Sequence, residues 1–314
     1  MKKIVYVTGC LGFIGYHITK TCLEKGWFVR GIDSGTYAAN YNFLDVLYKY
    51  KQFVYEKKDI NDLNYLYECD YVINTAAETH VDNSIMNSDV FLNSNVNGVH
   101  HLLKLITQQP KFKIPIFLHF STDEVYGDIH QGSHVETDPL NPSNPYSATK
   151  AAADMLISAW SRTFNIPYVI VRPTNNYGIG QYTEKFIPHT IKCLALGKQA
   201  PLHDNGYPRR TWLHASDTAA AIITIIESGE TNEIYNISGN YEEMNLVVAQ
   251  KIIQYMDLPG DIKQYLDFSV NRPGQDVRYS INDNKLKKLG WKPEANFDEK
   301  LKELIDFYKH NFVW

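Results

Sequence analysis

The chain has 314 residues, of which 44% are hydrophobic and 21% charged, and a formal net charge of −4 at neutral pH. That length accommodates one large α/β domain or two unequal ones with ample core, and the charge gives no electrostatic case for nucleic acid or an anionic membrane. Four scattered cysteines, Cys10, Cys22, Cys69 and Cys193, make no CxxC pair and no zinc spacing, so the expectation is buried thiols, no metal, and a reducing, cytoplasmic setting.

The N-terminal run MKKIVYVTG is too short for a signal peptide and leads directly into a glycine motif, so it reads as a first strand. Further strands are predicted at 27–32, 52–56, 70–76, 114–121 and 167–173. Helical spacing of apolar residues covers 17–26, 90–108 and 146–164. No apolar segment approaches the ~18 residues of a membrane span. Continuous apolar strands joined by helices predict an α/β fold with a doubly wound parallel sheet covered on both faces. After about residue 175 the alternation fades, and glycine, proline and charge become denser. The expected division is a nucleotide-binding domain over 1–174, with some later segments returning to it, and a smaller substrate-binding part over 175–314.

TGCLGFIG puts Gly9, Gly12 and Gly15 between a strand and a helix. Glycines at this spacing let the backbone turn tightly and approach a pyrophosphate on the helix N-terminus; a plain strand–helix turn is the bland alternative. The second strand runs into Asp33, at the distance where a carboxylate meets the adenosine ribose and repels a 2′-phosphate. That favours NAD, although Arg30 keeps NADP open. Asp59 and Ile60, after the third strand, are placed to meet the adenine.

PYSATK sets Tyr146 and Lys150 four apart at a helix start, on one face. A phenol with a pKa of about 10 needs a nearby cation to act as a base at neutral pH. STDEVYG sets Thr122, Asp123 and Glu124 side by side at the end of an apolar strand. A helix cap uses one carboxylate, not two. Adjacent carboxylates whose environments separate their pKa values can serve as acid and base.

With TGCLGFIG, STDEVYGD, NPYSATKAAAD, RPTNNYG, EKFIP, RRTWLH and NRPGQDVRYSI, the chain resembles the extended short-chain dehydrogenases/reductases. Within them it resembles the nucleotide-sugar 4,6-dehydratases, and the likeness runs nearly end to end. The resemblance implies a Rossmann-type fold, bound NAD, a nucleotide-sugar substrate, a homodimer, and dehydration of dTDP-glucose, or next UDP-glucose, to the 4-keto-6-deoxy sugar. Phe13, Ile14 and Ala76 join the glycines, Asp33, Asp59, Ile60, Tyr146 and Lys150 as implied cofactor contacts. Glu124 is implied as the C5 base, Asp123 as the acid for the C6 hydroxyl, and Thr122 as a hydrogen-bond partner near C4. Implied substrate contacts are His80, Asn175, Glu184, Lys185, Arg210 and Arg272, with Asn245 and Arg278 as weaker candidates. Gln275, Val99 and Thr211 depart from the pattern; Gln275 and Thr211, expected near the nucleotide, leave the base and the sugar open. An epimerase, a decarboxylase or an NAD-binding sensor on the same fold is the competing reading, against which the Asp123–Glu124 pair argues.

Overall fold

The computed structural model describes residues 2–311. Its strands are β1 (Ile4–Thr8), β2 (Phe28–Asp33), β3 (Phe53–Lys57), β4 (Tyr71–Asn74), β5 (Ile116–Phe120), β6 (Tyr168–Pro173), β7 (Asn175–Tyr177), β8 (Ala200–Pro201), β9 (Arg209–His214), β10 (Glu233–Ile237), β11 (Tyr241–Met244) and β12 (Leu266–Asp267). Seven of them form one parallel sheet in the order β10-β6-β5-β4-β1-β2-β3. The apolar runs form its centre because both faces are covered, so residues of either parity are buried. Val5, Val7, Leu118, Phe120, Val169 and Val171 face the helices Phe13–Glu24 and Ala215–Ser228. Tyr6, Phe117 and Ile170 face the helices Gly98–Thr107 and Pro145–Phe164 on the other side.

Strand order reverses between β1 and β4, which opens a crevice at the carboxyl ends of these strands, where ligands bind in doubly wound sheets. A third core, built from the helices Phe186–Ala195, Asn245–Tyr255 and Phe297–Tyr308, lies under the small sheet β11-β9-β7. It brings the C-terminal half against that crevice. No helix among the described residues is long and apolar enough to cross a membrane.

Three local features differ from the expectation. The helix expected over 17–26 starts at Phe13, because the glycine motif itself forms its N-terminus. The helix expected over 90–108 is interrupted by a π turn at Leu92–Asn97. Within that turn the Asn95 amide clamps the backbone of Glu78: it accepts from Glu78 N at 2.9 Å, donates to Glu78 O at 3.0 Å and donates to Thr149 Oγ1 at 3.0 Å. The seventh strand, β10, returns to the main sheet beside β6 from deep in the C-terminal half.

Candidate active site

The crevice is one cleft with two lobes. In the first, Gly9 turns at φ +73° directly after β1, and a Cβ there would lie 2.7 Å from Ala76 N. A Cβ on Gly15 would lie 2.0 Å from the Gly9 carbonyl oxygen. The glycines thus hold three backbone segments together and leave the start of the helix Phe13–Glu24 open to an anion. Asp33 ends β2 and accepts from Leu11 N at 2.9 Å and Gly35 N at 2.8 Å. Burial pushes its carboxyl up, and these backbone donors oppose the shift. Asp59 caps the short turn Ile60–Asp62 through Asn61 N at 2.8 Å. Gly9, Gly12, Asp33, Asp59, Ile60 and Ala76 line this lobe, and Phe13, Ile14 and Gly15 line its continuation toward Tyr146. Arg30 points elsewhere, its guanidinium 3.8 Å from the centre of the Tyr67 ring, so it makes no case for a 2′-phosphate beside Asp33. A glycine cradle with no room for Cβ atoms and a ribose-height carboxylate fit a dinucleotide.

At the centre of the cleft β5 ends, and Thr122 N-caps a single 3₁₀ turn, Asp123–Tyr126. That geometry explains the paired carboxylates. Thr122 Oγ1 accepts from Glu124 N at 3.3 Å and donates to Asp123 Oδ1 at 3.2 Å. Asp123 Oδ2 is buried with no partner. Burial, then the charge of Glu124, pushes the Asp123 carboxyl up to about 8, so it is protonated at neutral pH. Burial raises Glu124 as well, but Arg210, the Asn144 amide and Lys185 pull it back. The two neighbours therefore differ in character, one a neutral acid and the other the better base.

Tyr146 and Lys150 lie in the first turns of Pro145–Phe164, a helix held by an Asn144 capping box with Pro145 at its first position. The Tyr146 side chain faces the cleft with Thr122 as hydrogen-bond partner; burial and the charges of Glu124 and Asp123 push its phenol far up. Lys150 does not line the cleft but stands buried behind Tyr146, where burial brings its ammonium down to about 8 against the pull of Asp154.

His80, Asn175, Glu184, Lys185, Arg210, Asn245 and Arg272 line the second lobe. His80 Nδ1, Asn175 Oδ1 and Asn245 Oδ1 are buried there without partners, which is the state of groups that await a polar ligand. Lys185 Nζ donates to Thr79 O and Oγ1, both at 2.9 Å. Glu184 takes the Tyr37 hydroxyl at 3.3 Å. Arg210 is fixed by Asp276 O at 3.1 Å and lies 4.3 Å over the Tyr279 ring. Arg272 makes a bidentate pair with Asp82, at 2.6 and 2.8 Å, and its third nitrogen meets Gln275 Oε1 at 3.1 Å. Gln275 therefore steadies the arginine. Arg278 is the exception among the expected contacts. Its guanidinium is taken by Glu242, at 2.6 and 2.9 Å, and by Gly132 O at 2.9 Å, and it lines neither lobe.

Several residues of the cleft escaped the sequence reading. Asn144 holds the helix Pro145–Phe164 through Ser147 N at 2.9 Å and reaches Glu124 Oε2 at 3.4 Å; an Asn before a Pro at a helix start is a legible cap signal. Tyr279 bonds Asp276, which also takes Ser143, and stands 3.4 Å from Glu124 Oε2. Beneath them Asp154 receives Ser121 Oγ at 3.0 Å and Arg172 Nε at 3.1 Å. These partners come from segments far apart in the chain, and no local spacing announces them.

The sequence profile of the GDP-mannose 4,6 dehydratase family matches residues 6–304. A dTDP-glucose 4,6-dehydratase of Haemophilus influenzae is 38% identical, with 98% of each chain covered. A low-salt glycan biosynthesis protein of Haloferax volcanii, Agl12, is 37% identical, over 97% of this chain and 98% of its own. Among solved structures, the dTDP-glucose 4,6-dehydratase DesIV of Streptomyces venezuelae, with NAD and TYD bound, superposes with a TM-score of 0.92 at 33% identity, covering 98% of this chain and 97% of its own. A UDP-glucuronic acid 4-epimerase of Bacillus cereus shares the fold, with a TM-score of 0.91 at 23% identity. The chain belongs to the nucleotide-sugar 4,6-dehydratases, hydro-lyases of the extended short-chain dehydrogenase/reductase family.

Proposed function

We propose that the chain dehydrates a nucleotide-activated glucose, dTDP-glucose first and UDP-glucose next, to its 4-keto-6-deoxy product. The observation that carries this reading is the divided pair at the end of β5, with Asp123 a buried acid and Glu124 a cation-tempered base. An epimerase has no use for such a pair. NAD, held by Gly9, Gly12, Gly15, Asp33 and Asp59, would supply the hydride acceptor for C4 and the hydride donor for C6. Tyr146 removes the C4 hydroxyl proton, and the Lys150 ammonium favours the phenolate that does so. The resulting ketone acidifies C5, and Glu124 takes that proton. Asp123 gives its proton to the C6 hydroxyl, which leaves as water. Glu124 then returns its proton to C5; Tyr146 has gained one proton and Asp123 has lost one, so a single proton passed from Tyr146 to Asp123 through solvent resets the site.

Arg210 and Arg272 are suited to the diphosphate, since guanidinium forks match phosphate oxygens; the Asp82 partnership of Arg272 is then exchanged for substrate. Asn175, Asn245 and His80 supply unpartnered polar atoms toward the sugar nucleotide. We also propose that residues 1–174 chiefly serve the cofactor and 175–314 the substrate. A homodimer is supported by Met155 and Phe164, apolar and exposed along the helix Pro145–Phe164. Free Cys10, Cys22, Cys69 and Cys193 support a reducing, cytoplasmic setting.

The test is incubation of the purified protein with dTDP-glucose and UDP-glucose, followed by NMR. A C6 methyl doublet beside a C4 ketone or its hydrate, formed without added NADH, is the expected result. Absence of the methyl from both, with NAD bound, overturns the substrate assignment.

A further inference from the structure

Lys150 ends among polar side chains drawn from three adjacent strands. His119, on β5, brings Nε2 to 3.4 Å from Lys150 Nζ. Its Nδ1 lies 3.0 Å from Asn74 Nδ2, and Asn74 Oδ1 accepts from Thr8 Oγ1 at 2.6 Å. Thr8 is in register with Asn74, and Asn74 with His119. A single row of polar groups thus crosses the sheet beneath the glycine turn and stops at Lys150. All three residues are 0% exposed, so each must be satisfied from within the row.

Burial, then the charge of Lys150, holds the His119 ring well below its ordinary range. The ring is therefore neutral, with a hydrogen on one nitrogen and a lone pair on the other. The Asn74 amide decides which. With Oδ1 toward Thr8 and Nδ2 toward the ring, Nδ1 must accept, and the hydrogen sits on Nε2. That N–H faces Lys150, and an amine accepts from it where an ammonium has no lone pair to offer. With the amide turned over, Oδ1 accepts from Nδ1–H, and Nε2 offers its lone pair to the ammonium. Orientation of the amide, tautomer of the ring and charge of the lysine are one linked variable.

We propose that Thr8, Asn74 and His119 form a positioning row that turns over together with the protonation of Lys150, so that His119 helps set the charge behind Tyr146. The proposal rests on Tyr146 and Lys150 being the acid–base pair of the reaction. Other charged or titratable groups act on the same lysine. Asp154, one turn along its helix, favours the ammonium but is shared with Arg172 of β6 at 3.0 Å. Tyr146 lies on the same helix face, and Asp123 and Glu124 act on it from the turn after β5. Since Lys150 titrates at about 8, both states of the row are populated near neutral pH.

The test is ¹⁵N-histidine and ¹³C-lysine NMR on the NAD-loaded protein, titrated from neutral to alkaline pH, with signals assigned through His119→Gln and Lys150→Met. The expected result is that the His119 nitrogens exchange tautomeric character at the same midpoint as Lys150 Cε, without the ring gaining charge. In His119→Phe, which keeps an aromatic ring on Phe117, the Lys150 midpoint falls by about one pH unit, the size of one hydrogen bond to a charged group. His119→Gln, whose amide also reaches Nζ, restores most of it. A His119 ring that keeps one tautomer while Lys150 titrates overturns the proposal, as does a His119→Phe midpoint equal to wild type. The wild-type titration decides the matter alone if His119→Phe does not fold. Tyr146→Phe turnover is read separately. Full activity there sinks the acid–base pair and leaves the coupling of the row to be judged by its own spectra.

Discussion

At the scale of single residues, the chemistry turns on how far the protein separates two neighbouring carboxylates. Asp123 has a folded value near 8, well above the ~4 of an unfolded aspartate. The folded state therefore binds this proton more tightly, and stability falls as pH rises from ~4 to ~8. Asp123→Asn removes that penalty, so its melting temperature is expected to exceed that of wild type by a margin that grows from mildly acidic to alkaline pH. A margin independent of pH contradicts the assignment. The same residue predicts an alkaline limb in turnover with a midpoint at about 8, because the acid must be protonated to release water. Glu124→Gln is expected to lower methyl formation by roughly 10²–10⁴-fold while leaving C4 oxidation observable as transient nicotinamide absorbance. Equal loss of both signals would remove Glu124 from the C5 step.

At this scale the sequence was informative wherever a short motif carries its own chemistry. Ser121–Glu124 of STDEVYG, Tyr146 of YxxxK and the glycine triplet all line the cleft, and Lys150 stands buried behind Tyr146. Arg278, the weaker candidate, stands apart from the cleft because its position in NRPGQDVRYSI says nothing of its partner, and Glu242, which takes it, lies 36 residues away. His119 was hidden within an apolar strand. Its meaning comes from Asn74 and Thr8 on neighbouring strands, and only the sheet register brings these together.

Among the elements, the helix Pro145–Phe164 has the greatest leverage, since its N-cap Asn144 also reaches Glu124. Asn144→Ala is expected to cost about 1 kcal/mol of stability, measured by denaturant midpoint. Asn144→Ser keeps the cap but loses the 3.4 Å contact to Glu124. Recovered stability with a still-shifted acid limb in the pH–rate profile would separate the two roles; recovery of both would show that Asn144 acts on the helix alone. In the cofactor lobe, Gly15→Ala drives a Cβ to within 2.0 Å of the Gly9 oxygen. A loss of about 1–3 kcal/mol and of copurified NAD is expected, and an unchanged cofactor content would contradict the cradle.

Six of the seven central strands were legible as apolar runs, since burial on both faces leaves a continuous signature. β10 was not. Its sequence, EIYNI, is short and half polar, and its place beside β6 depends on the long excursion of the chain through the C-terminal core. The π turn at Leu92–Asn97 escaped for a related reason: the periodicity continues through it, and the inserted residue is revealed by what Asn95 holds.

In the whole molecule, two lobes of one cleft meet at the carboxyl edge of one sheet. If two copies pack through the helix Pro145–Phe164, sedimentation is expected to give twice the chain mass, and Met155→Glu, placed at a 65% exposed position, is expected to shift the protein toward monomer. Monomeric wild-type protein would contradict that packing. The central claim is that one bound NAD moves hydrogen from C4 to C6 within a single substrate molecule. The direct measurement is turnover of the nucleotide-glucose deuterated at C4, with the product read by NMR and mass spectrometry. The account predicts a methyl group at C6 that retains the deuterium. A methyl without it, or a product with deuterium still at C4, would contradict the account.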